Sequence, residues 1–300
     1  MPAVKIVVSE FMDEAALAGV DASVVYDPGL VDDRPRLLAV LGDADAVIVR
    51  NRTRVDAELL AAAPRLRAVG RLGVGLDNID VEACAARGVT VHPATGANTR
   101  SVAEYVIAAA MLLVRGAFAS HAAMLTGEWP RGPLGQGGEV AGRLMGLVGY
   151  GGIARAVAER AEALGMRVLF HDPAVEGGVP LIELLASADV VSLHVPLTDG
   201  TRGMIDTRAL ARMKPTAILI NTARGGVVDE AALADALRGG RLAGAALDVF
   251  EREPLTGEAA AIFAGCSNLV LTPHIAGVTA EGNVRVSQLT VANVMRALAQ

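Results

Sequence analysis

The sequence predicts an α/β protein of two doubly wound, parallel-sheet domains. Short runs rich in Val, Ile and Leu alternate with longer stretches of helical period, the pattern of parallel strands joined by crossover helices. The alternation is interrupted once, by the glycine- and proline-dense "GEWPRGPLGQGGEVAGR" at 127–143, and then restarts. The restarted series opens on a strand that runs straight into a G-x-G-x-x-A turn, the entry to a dinucleotide-binding unit.

Taken in order, the first strands are "KIVVS", "VVYD", "AVIVR", "RAVGRLG" and "VTVHP", enough for one sheet. Helices such as "VDAELLAAAP" and "VEACAARG" fall between them and stop at Pro64 and Gly88. A long helix is expected from about Thr99 to Leu125, with "SVAE" near its start offering a Ser-to-Glu capping box. After the interruption come "LMGLVGYGG", "RVLFHD", "VVSLHVP", "AILINTA", "LAGAALDVF" and "NLVLTPHIA", six strands, the number in a full dinucleotide-binding sheet. The last helix, "EGNVRVSQLTVANVMRALA", has no strand after it and is expected to pack back on the first domain.

Composition narrows the function classes. The 300 residues are 52% hydrophobic and 20% charged, an ordinary globular balance with material for a large core. A formal charge of -6 argues against a nucleic-acid backbone as partner. Cys84 and Cys266 lie far apart with no C-x-x-C spacing, so neither a disulfide framework nor a metal site is expected, and a reducing cytoplasm fits. "MPAVKIVVSEF" reads as a first strand rather than a signal peptide. "YVIAAAMLLV", Tyr105–Val114, is too short for the roughly 20 residues a bilayer requires, so no membrane partner is expected.

In "GLVGYGGIA", Gly149 permits the tight turn, Gly151 lets the backbone approach a pyrophosphate, and Ala154 keeps the helix close to its strand. Phosphate would lie at the helix N-terminus. The next strand ends in Asp172, about twenty residues on, where a carboxylate bonds ribose hydroxyls and repels a 2′-phosphate; NAD is therefore expected over NADP. Three further segments end strands of the same sheet: "INTARGG" with Arg224, "LDVFEREP" with Asp248 and Glu253, and "LTPHIAG" with His274. A guanidinium holds a carboxylate and polarises oxygen, an imidazole takes a hydroxyl proton, and a carboxylate orients the imidazole. Oxidation of a 2-hydroxy acid needs this combination.

"GRLGVGLDNID", "GANTRSVAEYVI", "GLVGYGGIA", "INTARGGVVDE", "LDVFEREP" and "LTPHIAG" together resemble the D-isomer-specific 2-hydroxyacid dehydrogenase family, in particular its 3-phosphoglycerate-dehydrogenase-like branch. "SEFMDEAAL" with "VRNRTRVDAELL" is similar to members assigned as sulfolactate dehydrogenases. The resemblance implies a flavodoxin-like substrate domain from residues 1–97 and 278–300, and an inserted Rossmann NAD-binding domain, 98–277, through which a homodimer forms. It implies that Arg224 binds the substrate carboxylate and carbonyl, that His274 is the acid/base, and that Glu253 pairs with it. It further implies that Asp248 bonds the nicotinamide carboxamide and that the N–H groups of Val74 and Gly75 receive the substrate carboxylate. Asn98 is placed near hinge and substrate, and Arg50, with Asn51, at the substrate's far end. Cofactor contacts are implied for Gly149, Gly151, Gly152, Ile153, Asp172, His194, Pro196, Thr201, Thr222 and Ala223, and for Arg224, Asp248 and His274 at the nicotinamide; His194 is expected to pack rather than react.

The reading that follows is an NAD-dependent dehydrogenase of a small 2-hydroxy acid with a second anionic group, 3-phosphoglycerate-like or 3-sulfolactate. The arginines of "VRNRTRVD" suit such a group, although Arg52 and Arg54 read equally well as a solvated basic loop. A glyoxylate or hydroxypyruvate reductase and a non-catalytic NAD-sensing scaffold are the alternatives.

Overall fold

The computed structural model describes residues 4–300, apart from the side chain of residue 119; the first three residues of the N-terminal stretch lie outside it. Residues up to Asn98, together with Val278–Gln300, form one compact unit, and Thr99–Gly277 form a second.

The first unit holds a five-stranded parallel sheet of β1 (Lys5–Val8), β2 (Ser23–Tyr26), β3 (Ala46–Val49), β4 (Ala68–Arg71) and β5 (Thr90–Pro93), in the order β2-β1-β3-β4-β5. Its central strands β1, β3 and β4 are mostly apolar and buried rather than alternating because both faces are covered. Val7, Val47, Val49 and Val69 meet Leu37, Leu59 and Leu60 on one face. Ile6, Val8 and Ile48 meet Val286, Val291, Val294 and Leu298 of the C-terminal helix Ala280–Leu298 on the other. That helix starts cleanly, Thr279 Oγ1 accepting the Gly282 N–H at 2.9 Å. Gly70 lets it approach the sheet, since a Cβ there would lie 2.6 Å from Val294 Cγ2. Each large apolar side chain it buries is worth about 1.5–3 kcal/mol, so the C-terminal helix is integral to this unit.

The second unit holds a six-stranded parallel sheet of β6 (Leu144–Val148), β7 (Arg167–His171), β8 (Val190–Leu193), β9 (Ile218–Asn221), β10 (Gly244–Leu247) and β11 (Leu269–Leu271), in the order β11-β10-β9-β8-β6-β7. Counted from β6, this order is 2-1-3-4-5-6, and the winding reverses between β6 and β8, beside the glycine turn. Among the described residues no further strand is added outside β7: the chain turns at Gly177 (φ +87°), and Val179 donates its N–H to Phe170 O at 2.9 Å, covering that edge with a loop.

Three local expectations are corrected. The long helix spans Thr99–Arg115 and stops at Gly116, whose φ of +65° is a left-handed terminus; a short helix, His121–Leu125, follows a separate 3-10 turn. Ser101 is buried inside the first turn and Glu104 is exposed, so "SVAE" is not a capping box. The last strand covers only Leu269–Leu271: Pro273 has no N–H to continue the ladder, and the His274 N–H bonds Asp248 O at 2.8 Å instead. Among the described residues no helix is long and apolar enough to cross a membrane.

Candidate active site

The register of the second sheet aligns its strand ends. Val148 pairs with His171 and Leu193, Leu193 with Asn221, Asn221 with Leu247, and Leu247 with Leu271. The next residues, Gly149, Asp172, His194, Thr222, Asp248 and Thr272, therefore line one carboxyl edge, where open α/β sheets bind ligands.

The glycine turn fits a dinucleotide. Gly149 has φ +87°, and a Cβ on it would lie 2.6 Å from the His194 carbonyl oxygen, so turn and neighbouring strand end touch by backbone. Beside Gly151 and Gly152 no protein atom lies within 4 Å of where a Cβ would stand, which leaves open space over the turn. The helix Gly152–Ala163 begins with no side-chain cap, whereas those after Asp56, Asp80, Asp206 and Asp229 are capped by carboxylates. Its first N–H groups are thus left for an anion. Ile153 is half-buried and Ala154 is fully buried. Asp172 accepts the N–H groups of Tyr150 at 2.8 Å and Ala174 at 2.9 Å, and these bonds hold its carboxyl below the usual range. It stands charged where ribose would lie.

Buried polar atoms without protein partners mark the same edge: His194 Nε2 and Thr222 Oγ1. Burial drives the His194 imidazole down to about 4, so its ring is neutral near pH 7 and does not serve as an acid there. Thr201 has a visible structural task, its Oγ1 donating to Pro196 O at 2.6 Å and accepting the Thr198 N–H at 2.8 Å, which closes the loop after β8. Asn221, a residue the sequence reading passed over, staples the turn after β9: its side chain accepts the Ala223 N–H at 3.0 Å and donates to Arg224 O at 2.9 Å. Arg224 Nη1 donates to Ala223 O at 2.7 Å.

Glu253 and His274 meet directly, with 2.7 Å between Oε2 and Nδ1. The other carboxylate oxygen accepts the Phe250 N–H at 3.0 Å. Burial raises the Glu253 pKa, but the bonds from His274 and Phe250 and the nearby charges of His274 and Arg224 outweigh it, and the net shift is downward. An ionised carboxylate only accepts, so Nδ1 must carry the proton. In a neutral ring Nε2 then bears the lone pair, which is the tautomer a general base requires. His274 itself sits at φ +56°, a conformation side chains rarely adopt.

Asp248 holds it there. This carboxylate is 1% exposed; Oδ1 accepts from Thr272 Oγ1 at 2.6 Å and the Ile275 N–H at 2.8 Å, and Oδ2 accepts the Ala276 N–H at 2.8 Å. Because Thr272 spends its proton on Asp248, Tyr105 donates to Thr272, at 2.6 Å, and ties the loop to the helix Thr99–Arg115. Glu230 does similar work on the facing loop, accepting the Glu251 N–H at 2.6 Å. Neither Tyr105 nor Glu230 stands out in the sequence, because their partners are distant along the chain.

The first unit carries the remaining residues. Arg50 is gripped at both ends of its guanidinium, by Phe11 O at 3.3 Å from Nη1 and Asn283 Oδ1 at 2.9 Å from Nη2. Asn51 is exposed, and Arg52 pairs with Asp32 at the surface. Val74 is 39% exposed and Gly75 is half-buried; they follow Gly73, beneath which the Arg71 guanidinium lies. Asn98 has a buried Oδ1 without a protein partner. Among the described residues no cluster of His, Cys, Asp and Glu could hold a metal ion.

The NAD-binding-domain model of the D-isomer specific 2-hydroxyacid dehydrogenases matches residues 107–276. The chain is 57% identical to an (S)-sulfolactate dehydrogenase of Chromohalobacter salexigens, over 98% of each protein. It is 45% identical to a D-3-phosphoglycerate dehydrogenase of Mycobacterium tuberculosis over 89% of this chain, which spans about half, 52%, of that longer protein. Among solved structures it resembles a D-lactate dehydrogenase of Aquifex aeolicus complexed with NAD and lactic acid, with a TM-score of 0.85 and 30% identity over 98% of this chain and 95% of that one.

Proposed function

Since the chain belongs to the D-isomer-specific 2-hydroxyacid dehydrogenase family and is an NAD-dependent oxidoreductase of 2-hydroxy acids, we propose that its substrate carries a second anionic group, 3-sulfolactate foremost and a 3-phosphoglycerate-like acid next. The observation that carries this is Arg50, a guanidinium fixed by Phe11 and Asn283 rather than left to wander in solvent. The relative at 57% identity, which bears the name of a sulfolactate dehydrogenase, supports the same choice.

In this reading Val74 and Gly75 offer backbone N–H groups to the C1 carboxylate, Arg50 and Asn51 meet the distal anion, and Asn98 turns its buried amide oxygen to the substrate. Arg224 holds the carboxylate and steadies the developing carbonyl. His274 Nε2 takes the hydroxyl proton while Nδ1 stays bonded to Glu253, which offsets the charge arriving on the ring. Bound NAD supplies the hydride acceptor for C2. Gly149, Gly151, Gly152 and Ile153 cradle its pyrophosphate, Asp172 takes the ribose hydroxyls, and His194, Pro196, Thr201, Thr222 and Ala223 border it. The unfilled lone pair of Asp248 Oδ2 takes the carboxamide hydrogen. Residues 1–97 and 278–300 thus serve the substrate and 98–277 the cofactor, in a cytoplasmic enzyme whose two cysteines stay reduced.

An NAD-linked assay across lactate, glycerate, 3-phosphoglycerate and both sulfolactate enantiomers tests the substrate. The expected result is highest kcat/KM on an acid with a second anionic group, with Arg50→Ala lowering the sulfolactate-to-lactate ratio about 10- to 100-fold, the worth of a charge-assisted bond. Preference for lactate or glycerate would sink the second-anion reading.

The Thr99–Gly277 unit exposes a cluster of apolar side chains, among them Leu125 at 76% and Trp129 at 74%, beside Met124 and Pro130. We assign this surface to a second copy of the chain. Sedimentation should show twice the chain mass, and Leu125→Asp with Trp129→Asp should halve it; a monomeric parent protein would refute the assignment.

A further inference from the structure

Glu10 follows β1 and is 4% exposed, and its carboxylate accepts four successive backbone N–H groups from the loop after the neighbouring strand β3. Oε1 takes Arg50 at 2.8 Å and Thr53 at 2.9 Å; Oε2 takes Arg52 at 3.1 Å and Asn51 at 3.3 Å. Ser9 Oγ and Thr53 Oγ1 lie 2.9 Å apart, and Asn78 Nδ2 donates to Thr53 O at 2.6 Å, so the loop is tied from both sides.

Four convergent amides make an anion-binding nest, and here the chain fills it with its own carboxylate. Two consequences follow. The loop amides are not available to a substrate anion, so the distal group must be read by side chains, Arg50 and Asn51. And the direction in which the Arg50 Cα–Cβ bond points is set by a residue forty positions earlier. We propose that Glu10 is the positioning residue for distal-anion selectivity: an internal anion that organises the Arg50–Thr53 loop without touching the substrate. This rests on the reading that Arg50 meets the second anionic group.

The test compares Glu10→Ala, Glu10→Gln and Arg50→Ala in steady-state NAD-linked kinetics on 3-sulfolactate and on lactate, each with and without added sodium acetate, using sodium chloride at equal ionic strength as control. Glu10→Ala should raise KM for sulfolactate about tenfold with kcat within about twofold, so that the sulfolactate-to-lactate ratio of kcat/KM falls about tenfold. Acetate should restore part of the ratio by refilling the nest, and chloride should not. In Glu10→Gln the amide oxygen serves two N–H groups while its NH2 opposes the other two; a fall of about threefold is expected, and this near-isosteric change serves if the alanine variant does not fold. An unchanged ratio in both Glu10 variants, with Arg50→Ala lowering it, overturns the proposal and leaves the Arg50 reading standing. A lowered ratio without acetate rescue also overturns it, because Glu10 would then be a general folding residue. An unchanged ratio in Arg50→Ala removes the distal-anion reading and the proposal with it.

Discussion

His274→Asn is expected to lower kcat by about 10²- to 10⁴-fold, the usual worth of a positioned general acid/base, while the affinity for NAD stays within about twofold. Asparagine is a sharper probe than alanine for a structural reason. The residue sits at φ +56°, where asparagine is tolerated and alanine is strained. Its side-chain amide can still donate toward Glu253 Oε2, yet offers no basic nitrogen in place of Nε2. Backbone, loop and carboxylate partner are thus retained, and only the proton acceptor is lost. Turnover of 3-sulfolactate by the variant within tenfold of the parent rate, with NAD affinity measured by quenching of protein fluorescence, would remove His274 from the chemistry.

Gly225→Ala should be among the most damaging single methyls added to this chain. A Cβ there would stand 1.9 Å from the Phe250 carbonyl carbon, 2.1 Å from its oxygen and 2.3 Å from the Glu251 nitrogen. These are backbone atoms and have no rotamer by which to move aside. Elsewhere Gly→Ala often stabilises by about 0.4–1 kcal/mol through the unfolded chain; here overpacking of about 1–3 kcal/mol reverses the sign. The displacement falls on two functional segments together, because Gly225 follows Arg224 and Phe250 leads into Glu253. The expected outcome is a melting temperature lower by about 2–8 °C and a kcat/KM lower by at least about 100-fold. Gly151→Ala is the contrast: its Cβ meets no protein atom, so the fold should keep its melting temperature while NAD binding weakens. Equal thermal losses in the two variants would show that the close approach at Gly225 is not what matters.

The strand-end positions of several candidate residues were legible in the sequence. Gly149, Asp172, Arg224, Glu253 and His274 announce themselves by residue type at the ends of apolar runs, and the register then sets the first of these strand ends at one level. Less legible was what each partner does. Asp248 read as a cofactor ligand, yet most of its hydrogen-bonding capacity holds the loop that carries His274. Arg52 read equally well as an anion reader and as a solvated charge; it is paired with Asp32 at the surface. Glu10 was invisible, one acid after a strand, because its four partners begin forty residues away.

Short windows of sequence carry the two parallel sheets, the glycine turn, the NAD-binding character and the strand-end position of His274, since apolar period, turn sterics and residue type are local properties. Long-range contacts set where the Thr99 helix stops, how short β11 is, which tautomer His274 holds and which loop Glu10 organises. Those depend on hydrogen bonds and packing between segments tens to hundreds of residues apart, and their partners are chosen by strand order and register, which no local pattern encodes.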